Sequence, residues 1–215
     1  MRAEGLGLKQ ERELWAEGYR RLAGVDEVGR GAWAGPVVAA AVMLPRRGAV
    51  ASTLSRVRDS KVLTARQREL LSPLIHEVAL GVGLGMASAR FIDRRGIVAA
   101  TRQAMAMAVR NLPLGPDCLL IDALRLPDLP IHQRALIDGD AYVLSIAAAS
   151  IVAKVFRDRL MVAMGERYGD YGFAEHKGYG TAMHRAALQE LGPCAEHRMS
   201  FAPVRDRERY HAIRA

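Results

Sequence analysis

Cysteine is scarce in this chain of 215 residues: Cys118 and Cys194 stand apart, without CxxC spacing or a neighbouring histidine pattern. That scarcity argues against a disulfide framework and a zinc site, and it fits a reducing cytoplasm. Long apolar runs are missing as well. Even residues 144–155 are shorter than a membrane span and are interrupted by Ser150 and Lys154, so no transmembrane helix is expected. No apolar stretch follows the basic start, and the chain is therefore read as lacking a signal peptide and as soluble, with no membrane partner. Repeats, low-complexity tracts and long linkers do not occur, which removes solenoids and arrays. Lysine is the last shortage. Of 31 basic residues only Lys9, Lys61, Lys154 and Lys177 are lysine, the others being arginine.

What is present supports one sizeable core, since 50% of the residues are hydrophobic. The formal net charge is +8. Such a basic balance favours an anionic partner, of which nucleic acid is the commonest.

Residues 22–28 and 36–44 read as two short strands joined as a hairpin across a glycine-rich turn. Residues 65–78 carry Leu70, Leu71, Leu74, Ile75 and Val78 at helical spacing behind Thr64, a candidate cap. A third strand is expected over 78–87, then a helical stretch over 89–112 broken near Gly96. Residues 118–121 and 134–137 form brief strands that end in Asp122 and in Asp138-Gly139-Asp140. A long helix over 145–168 has a first half rich in Ala, Ile and Val, which should be buried. A loop of glycines and aromatics comes next over 168–179, then polar helices over 181–191 and 204–213, while residues 1–21 read as a short surface helix. The pattern implies an α/β fold, a mixed sheet flanked by helices with a small C-terminal helical extension. It is expected as a single domain over 1–215, with an N-terminal helical segment (1–20), a core (21–168) and a C-terminal loop and helices (169–215).

The chemistry concentrates in Gly24-Val25-Asp26-Glu27-Val28-Gly29-Arg30-Gly31. Carboxylates ending an apolar strand can hold hard divalent cations, and adjacent glycines let backbone N–H groups approach a phosphate or sugar closely. Asp26, Asp122 and Asp140 each end a different strand. They could converge at one edge of the sheet and share two magnesium ions, the arrangement that clamps the attacking and leaving oxygens of phosphodiester hydrolysis. Glu27 is harder to place, because successive side chains on a regular strand point to opposite faces. It is expected to act through its carbonyl or a bound water unless the strand is distorted.

Residues 23–31, Asp59-Ser60-Lys61, residues 119–122, Gly139-Asp140, residues 145–154, Arg157-Asp158, residues 176–181, His197-Arg198 and Ser200-Phe201 together resemble the ribonuclease HII family, the type 2 ribonucleases H. The resemblance covers nearly the whole chain. It implies an RNase H-like fold and a catalytic, metal-binding set of Asp26, Glu27, Asp122 and Asp140 with two divalent ions, Mg2+ or Mn2+. It also implies hydrolysis on the 5′ side of ribonucleotides embedded in duplex DNA, leaving a 3′-hydroxyl and a 5′-phosphate, and cutting of the RNA in RNA–DNA hybrids. Such an enzyme begins the removal of ribonucleotides from DNA. The Gly29-Arg30-Gly31 backbone and the hydroxyl of Tyr179 are implied to read the ribose 2′-OH, the group that separates RNA from DNA. A monomer is expected, and the sequence names no sliding clamp or other protein partner.

Lys61 and Lys177 are expected to contact the DNA backbone as point charges. Lys154 has two readings, a DNA contact or a partner for a nearby carboxylate. His176, His184 and His197 are too widely spaced for a zinc set, and Arg157-Asp158 reads first as a helix-surface ion pair. Four positions depart from the family pattern: Asp138 stands where lysine is usual, and Ala32, Ala123 and Gly180 replace the common Pro, Gly and Pro. Asp138 either points to solvent or alters the local field; the other three change the stiffness of their turns. Two competing readings are a sister type 2 enzyme, whose extra amino-terminal domain this chain is expected to lack, and a catalytically silent duplex-binding module.

Overall fold

The structure is a computed structural model and describes residues 6–206. Five strands, β1 (Leu22–Val28), β2 (Val37–Met43), β3 (Gly81–Ala87), β4 (Cys118–Asp122) and β5 (His132–Leu136), form a sheet in the order β3-β2-β1-β4-β5. The pairs β1–β2 and β2–β3 are antiparallel, whereas β1–β4 and β4–β5 are parallel. A mixed sheet flanked by helices is thus what the strand pattern anticipated.

β2 is buried at every position, so its apolar run serves two cores rather than one. Val38, Ala40 and Val42 face a core closed by α3 (Ala65–Val78) and α6 (Leu144–Arg167). Val37, Ala39, Ala41 and Met43 face the opposite core, covered mainly by α5 (Ile97–Arg110). Each fully buried Leu, Ile or Val contributes roughly 1.5–3 kcal/mol by leaving water. Thr64 caps α3 through a reciprocal pair with Gln67, as its spacing suggested. The expected break at Gly96 separates α4 (Ala89–Arg95) from α5, with Gly96 at φ +78°.

Several boundaries differ from expectation. β3 starts at Gly81 rather than 78 because α3 continues to Val78 and the Ala79 N–H still bonds to the Ile75 carbonyl. The short α2 (Ala49–Thr53) has too little periodicity to be read beforehand. The expected loop after α6 contains a 3-10 turn (Gly169–Tyr171) and α7 (Phe173–His176), succeeded by α8 (Ala182–Leu191). Of the helix expected over 204–213, α9 spans Ala202–Arg205, and residues 207–213 lie outside the described residues. The amino-terminal helix α1 (Lys9–Ala16) is no mere surface element, since it buries Leu14, Trp15 and the carboxylate of Glu11; residues 1–5 lie outside the described residues. Among the described residues no helix is long and apolar enough to cross a membrane.

Two features bring the acidic strand ends together. Parallel pairing sets Val25 opposite Ile121, so β1 and β4 emerge side by side at their carboxyl ends. Helix α6 then starts shortly after a 3-10 turn (Gly139–Ala141) and crosses β1 so closely that a Cβ on Gly24 would lie 2.2 Å from the Ser145 carbonyl carbon. Glycine is obligatory there. Glu11 of α1 accepts the Ser145 N–H at 2.9 Å and Gly7 accepts the Leu144 N–H at 2.9 Å, tying the start of α6 to the amino-terminal segment.

Candidate active site

Asp26 and Asp122 lie at the adjoining ends of β1 and β4, and Asp140 sits in the 3-10 turn before α6. One carboxylate oxygen from each of Asp26, Glu27 and Asp122 falls within 4.8 Å of the others. Glu27 therefore joins Asp26 after all. Strand alternation does not keep the two apart, although β1 stays paired with β2 through Val28: beyond Val25–Ile121, the last pair with β4, Asp26 turns its carboxylate to accept the Glu27 N–H at 2.7 Å, and Gly29 follows at φ +90°. Asp140 stands slightly apart from this trio. It is buried beside Asp122 and is held by the Lys61 ammonium at 2.7 Å, while Asp122 accepts the Gly139 N–H at 2.8 Å.

The electrostatics are those of an under-neutralised acidic pocket. Burial pushes the Asp26 carboxyl well above the usual range; the charges of Glu27 and Asp122 add to the rise, and a Ser150 hydroxyl hydrogen bond opposes it. Burial also raises Glu27, against the pull of Arg30, whose guanidinium lies 3.1 Å away. Asp122 is raised by burial and by Asp140, and lowered by the Gly139 N–H. Glu27 Oε2 is buried with no hydrogen-bond partner among the described residues. All-oxygen donors, mutual repulsion and an unpartnered carboxylate oxygen fit a hard divalent cation.

Above the carboxylates lies a cleft of about 350 Å³ lined in part by Gly29, Ser60, Lys61, Ser150, Lys154 and Tyr179. It adjoins a larger cleft of about 710 Å³ between α3, α6 and α7. Gly29 and Tyr179 both line the smaller cleft, and Arg30 and Gly31 continue the chain from Gly29. Arg30 and Gly31 are exposed residues, and their N–H groups have no acceptor among the described residues. Lys61 is 74% exposed at its side chain despite its bond to Asp140. Lys177 instead folds its ammonium onto the Ala174 carbonyl, and Lys154 takes the carboxylate reading, bonding Asp158 at 2.6 Å.

The ion pair read for Arg157 and Asp158 is corrected by this geometry. Arg157 is fully buried and donates to the carbonyls of Pro36 (2.9 Å), Lys177 (2.9 Å) and Ala34 (3.1 Å). It lies inside because α6 is covered on that side by residues 29–36 and 177–179, an environment no helical periodicity announces. The widely spaced histidines meet without forming a ligand set. Cys194 N–H donates to His197 Nδ1 at 3.0 Å, which leaves His197 Nε2–H to donate to His184 Nε2 (3.0 Å) and His184 Nδ1–H to donate to the Tyr179 carbonyl (3.0 Å). This relay admits one proton between the rings. Burial lowers both His184 and His197 to about 4, each also repelled by another histidine.

A family model described as Ribonuclease HII matches residues 23–204. The Ribonuclease HII of Roseiflexus castenholzii is 53% identical over 200 residues, covering 93% of this chain and 89% of that protein. Among solved structures, the ribonuclease H2 of Pyrococcus horikoshii OT3 superposes with a TM-score of 0.72 at 24% identity, covering 89% of this chain and 99% of that one. The RNase HII of Archaeoglobus fulgidus, solved as a complex with PCNA, gives 0.71 at 26% identity, with 86% and 96% covered.

Proposed function

Since the chain belongs to the ribonuclease HII family and is a ribonuclease H hydrolase, we propose that it cuts duplex DNA on the 5′ side of embedded ribonucleotides. It also cuts the RNA strand of RNA–DNA hybrids, leaving a 3′-hydroxyl and a 5′-phosphate, and so opens the way for ribonucleotide removal from DNA. Asp26, Glu27, Asp122 and Asp140 hold two divalent ions, Mg2+ or Mn2+. Such ions, when bound, activate water and neutralise charge developing on the leaving oxygen.

The chain's own residues do the selecting. The N–H groups of Arg30 and Gly31 donate toward the ribose 2′-OH, and Tyr179 packs its ring on the sugar and bonds the same hydroxyl. Gly29 allows the approach by reversing the chain at φ +90°. Lys61 swings from Asp140 to a phosphate of the incoming strand, and Lys177 adds a second positive charge beside Tyr179.

The observation that carries this reading is the convergence of one carboxylate oxygen each from Asp26, Glu27 and Asp122 within 4.8 Å, with Glu27 Oε2 buried and unpartnered among the described residues, beside the N–H-bearing turn. A duplex bearing one ribonucleotide, incubated with and without Mg2+ or Mn2+, should be cut once, on the 5′ side, only with the metal. Cleavage at another linkage, or undiminished cleavage in chelator, would refute it.

A further inference from the structure

The turn that reads the sugar is held from beneath by two arginines that never reach the cleft. Arg198 is fully buried and donates to the carbonyls of Gly35 (3.0 Å), Arg30 (2.8 Å) and Gly29 (2.7 Å). Arg157 takes the neighbouring carbonyls of Pro36 and Ala34 and adds that of Lys177, two residues before Tyr179. Among the described residues neither guanidinium has an ion-pair partner within 4.0 Å. Buried cations normally require a carboxylate. Here main-chain carbonyl dipoles take that place, and they come from the turn and from the tyrosine loop.

The packing is equally specific. A Cβ on Gly29 would lie 2.2 Å from Arg157 Nε, so the turn rests directly on that guanidinium. Arg157 also lies 5.4 Å from the Tyr179 ring centroid, and Arg198 lies 5.2 Å from that of Phe201. Arg198 draws the carbonyls of residues 29 and 30 inward, while the N–H groups of Arg30 and Gly31 have no acceptor among the described residues. Lysine could supply the charge but not the fork that spans several carbonyls.

We infer that Arg157 and Arg198 are positioning residues for 2′-OH recognition: they fix the Gly29–Gly31 turn and the Tyr179 loop in one mutual geometry without touching substrate. The inference rests on the proposed reading of the sugar by that turn. A static platform of this kind acts on discrimination, whereas a merely structural role acts on the amount of folded enzyme.

The test compares cleavage of a duplex bearing one ribonucleotide with cleavage at the same linkage of the all-deoxy duplex, which lacks both the acceptor and the donor of the 2′-OH. Arg198→Lys and Arg157→Lys should lower kcat/KM on the ribonucleotide by about 10–100-fold, the ratio between the two substrates collapsing toward one. Mn2+ binding by calorimetry should stay as in the parent enzyme. Phe201→Leu, which loosens Arg198 while keeping its bonds, should lower the ratio about 2–5-fold and serves where a lysine variant does not fold. Loss on both substrates in proportion, with the ratio kept in every variant that folds, would overturn the inference. A parent enzyme that failed to distinguish the two substrates would instead overturn the sugar-reading assignment on which the inference rests.

Discussion

At the edge of the sheet three carboxylates crowd together with few partners, while a few residues onward two guanidiniums lie deeper still, each bonded to three main-chain carbonyls. Both regions bury charge, and burial of charge is costly unless it is compensated. Compensation for the arginines is internal and complete in the folded chain. For the carboxylates it is left to something that must arrive. An incompletely compensated cluster marks where a ligand acts; a compensated one marks where geometry is kept.

Asp26→Asn breaks the contrast most sharply. Removing the carboxylate with the strongest upward shift should cut the rate on a single-ribonucleotide duplex by about 10³-fold or more, some 4 kcal/mol of barrier, while raising the melting temperature of metal-free protein. The parent should gain about 2.7 kcal/mol of stability at a Mg2+ concentration 100 times its Kd, and the variant should gain far less. An active variant, or one destabilised without metal, would erase the distinction. Arg198→Ala should do the opposite on the stability axis, costing roughly 3–5 kcal/mol in urea unfolding because three carbonyls lose their donor at once. A cost no greater than that of replacing exposed Arg94 would place Arg198 among ordinary surface residues.

Acid sharpens the comparison. His184 and His197 titrate near 4 in the folded protein against about 6.5 unfolded. A lowered folded value means that protons bind the unfolded chain first, so stability is full above pH 6.5 and is lost progressively as pH falls toward 4. The loss should be roughly 3 kcal/mol for the first of these rings to be charged. His197→Gln should flatten the profile measured by urea midpoints between pH 8 and 4.5, and an unflattened profile would show the relay to be inert. The smallest effect is expected at Ala123, which sits at φ +55° beside Asp122. Ala123→Gly should relieve about 1 kcal/mol of left-handed strain, read as a higher melting temperature with little change in rate.

Legibility in the sequence divides along the same line. Asp26 and Asp122 can be found because each follows an apolar run, and parallel pairing of β1 with β4 brings them together, whereas Asp140, expected at a strand end, lies in the 3-10 turn beyond β5. Alternation misplaces Glu27 because it describes where a side chain leaves the strand, not how far its carboxylate can reach past the last pair with β4 or that Asp26 turns back onto the Glu27 N–H. Arg157 is misread since α6 is apolar on most sides, so its periodicity does not say which flank a later loop will cover. Arg198 has no local signal, since its carbonyl partners at Gly29, Arg30 and Gly35 meet it only through tertiary packing; the relay from Cys194 to Tyr179 is made of nearer contacts that only the fold of this segment aligns. The departure at Ala123 is visible as a residue type, and its positive φ gives it a physical meaning.

Helix α6 runs from the turn that holds Asp140, past Ser150, whose hydroxyl bonds Asp26, to Arg157 under the Gly29–Gly31 turn. Both regions thus hang from one rod, spaced by its helical rise. Adding a single residue between Ser150 and Arg157 would rotate everything beyond it by about 100° and advance it by about 1.5 Å. The guanidinium would swing away from its carbonyls while the end beside the carboxylates stayed in place. Length variation should therefore be tolerated in the exposed connection between α5 and β4 and be ruinous in this interval, so that the helix acts as a ruler between the carboxylate cluster and the Gly29–Gly31 turn.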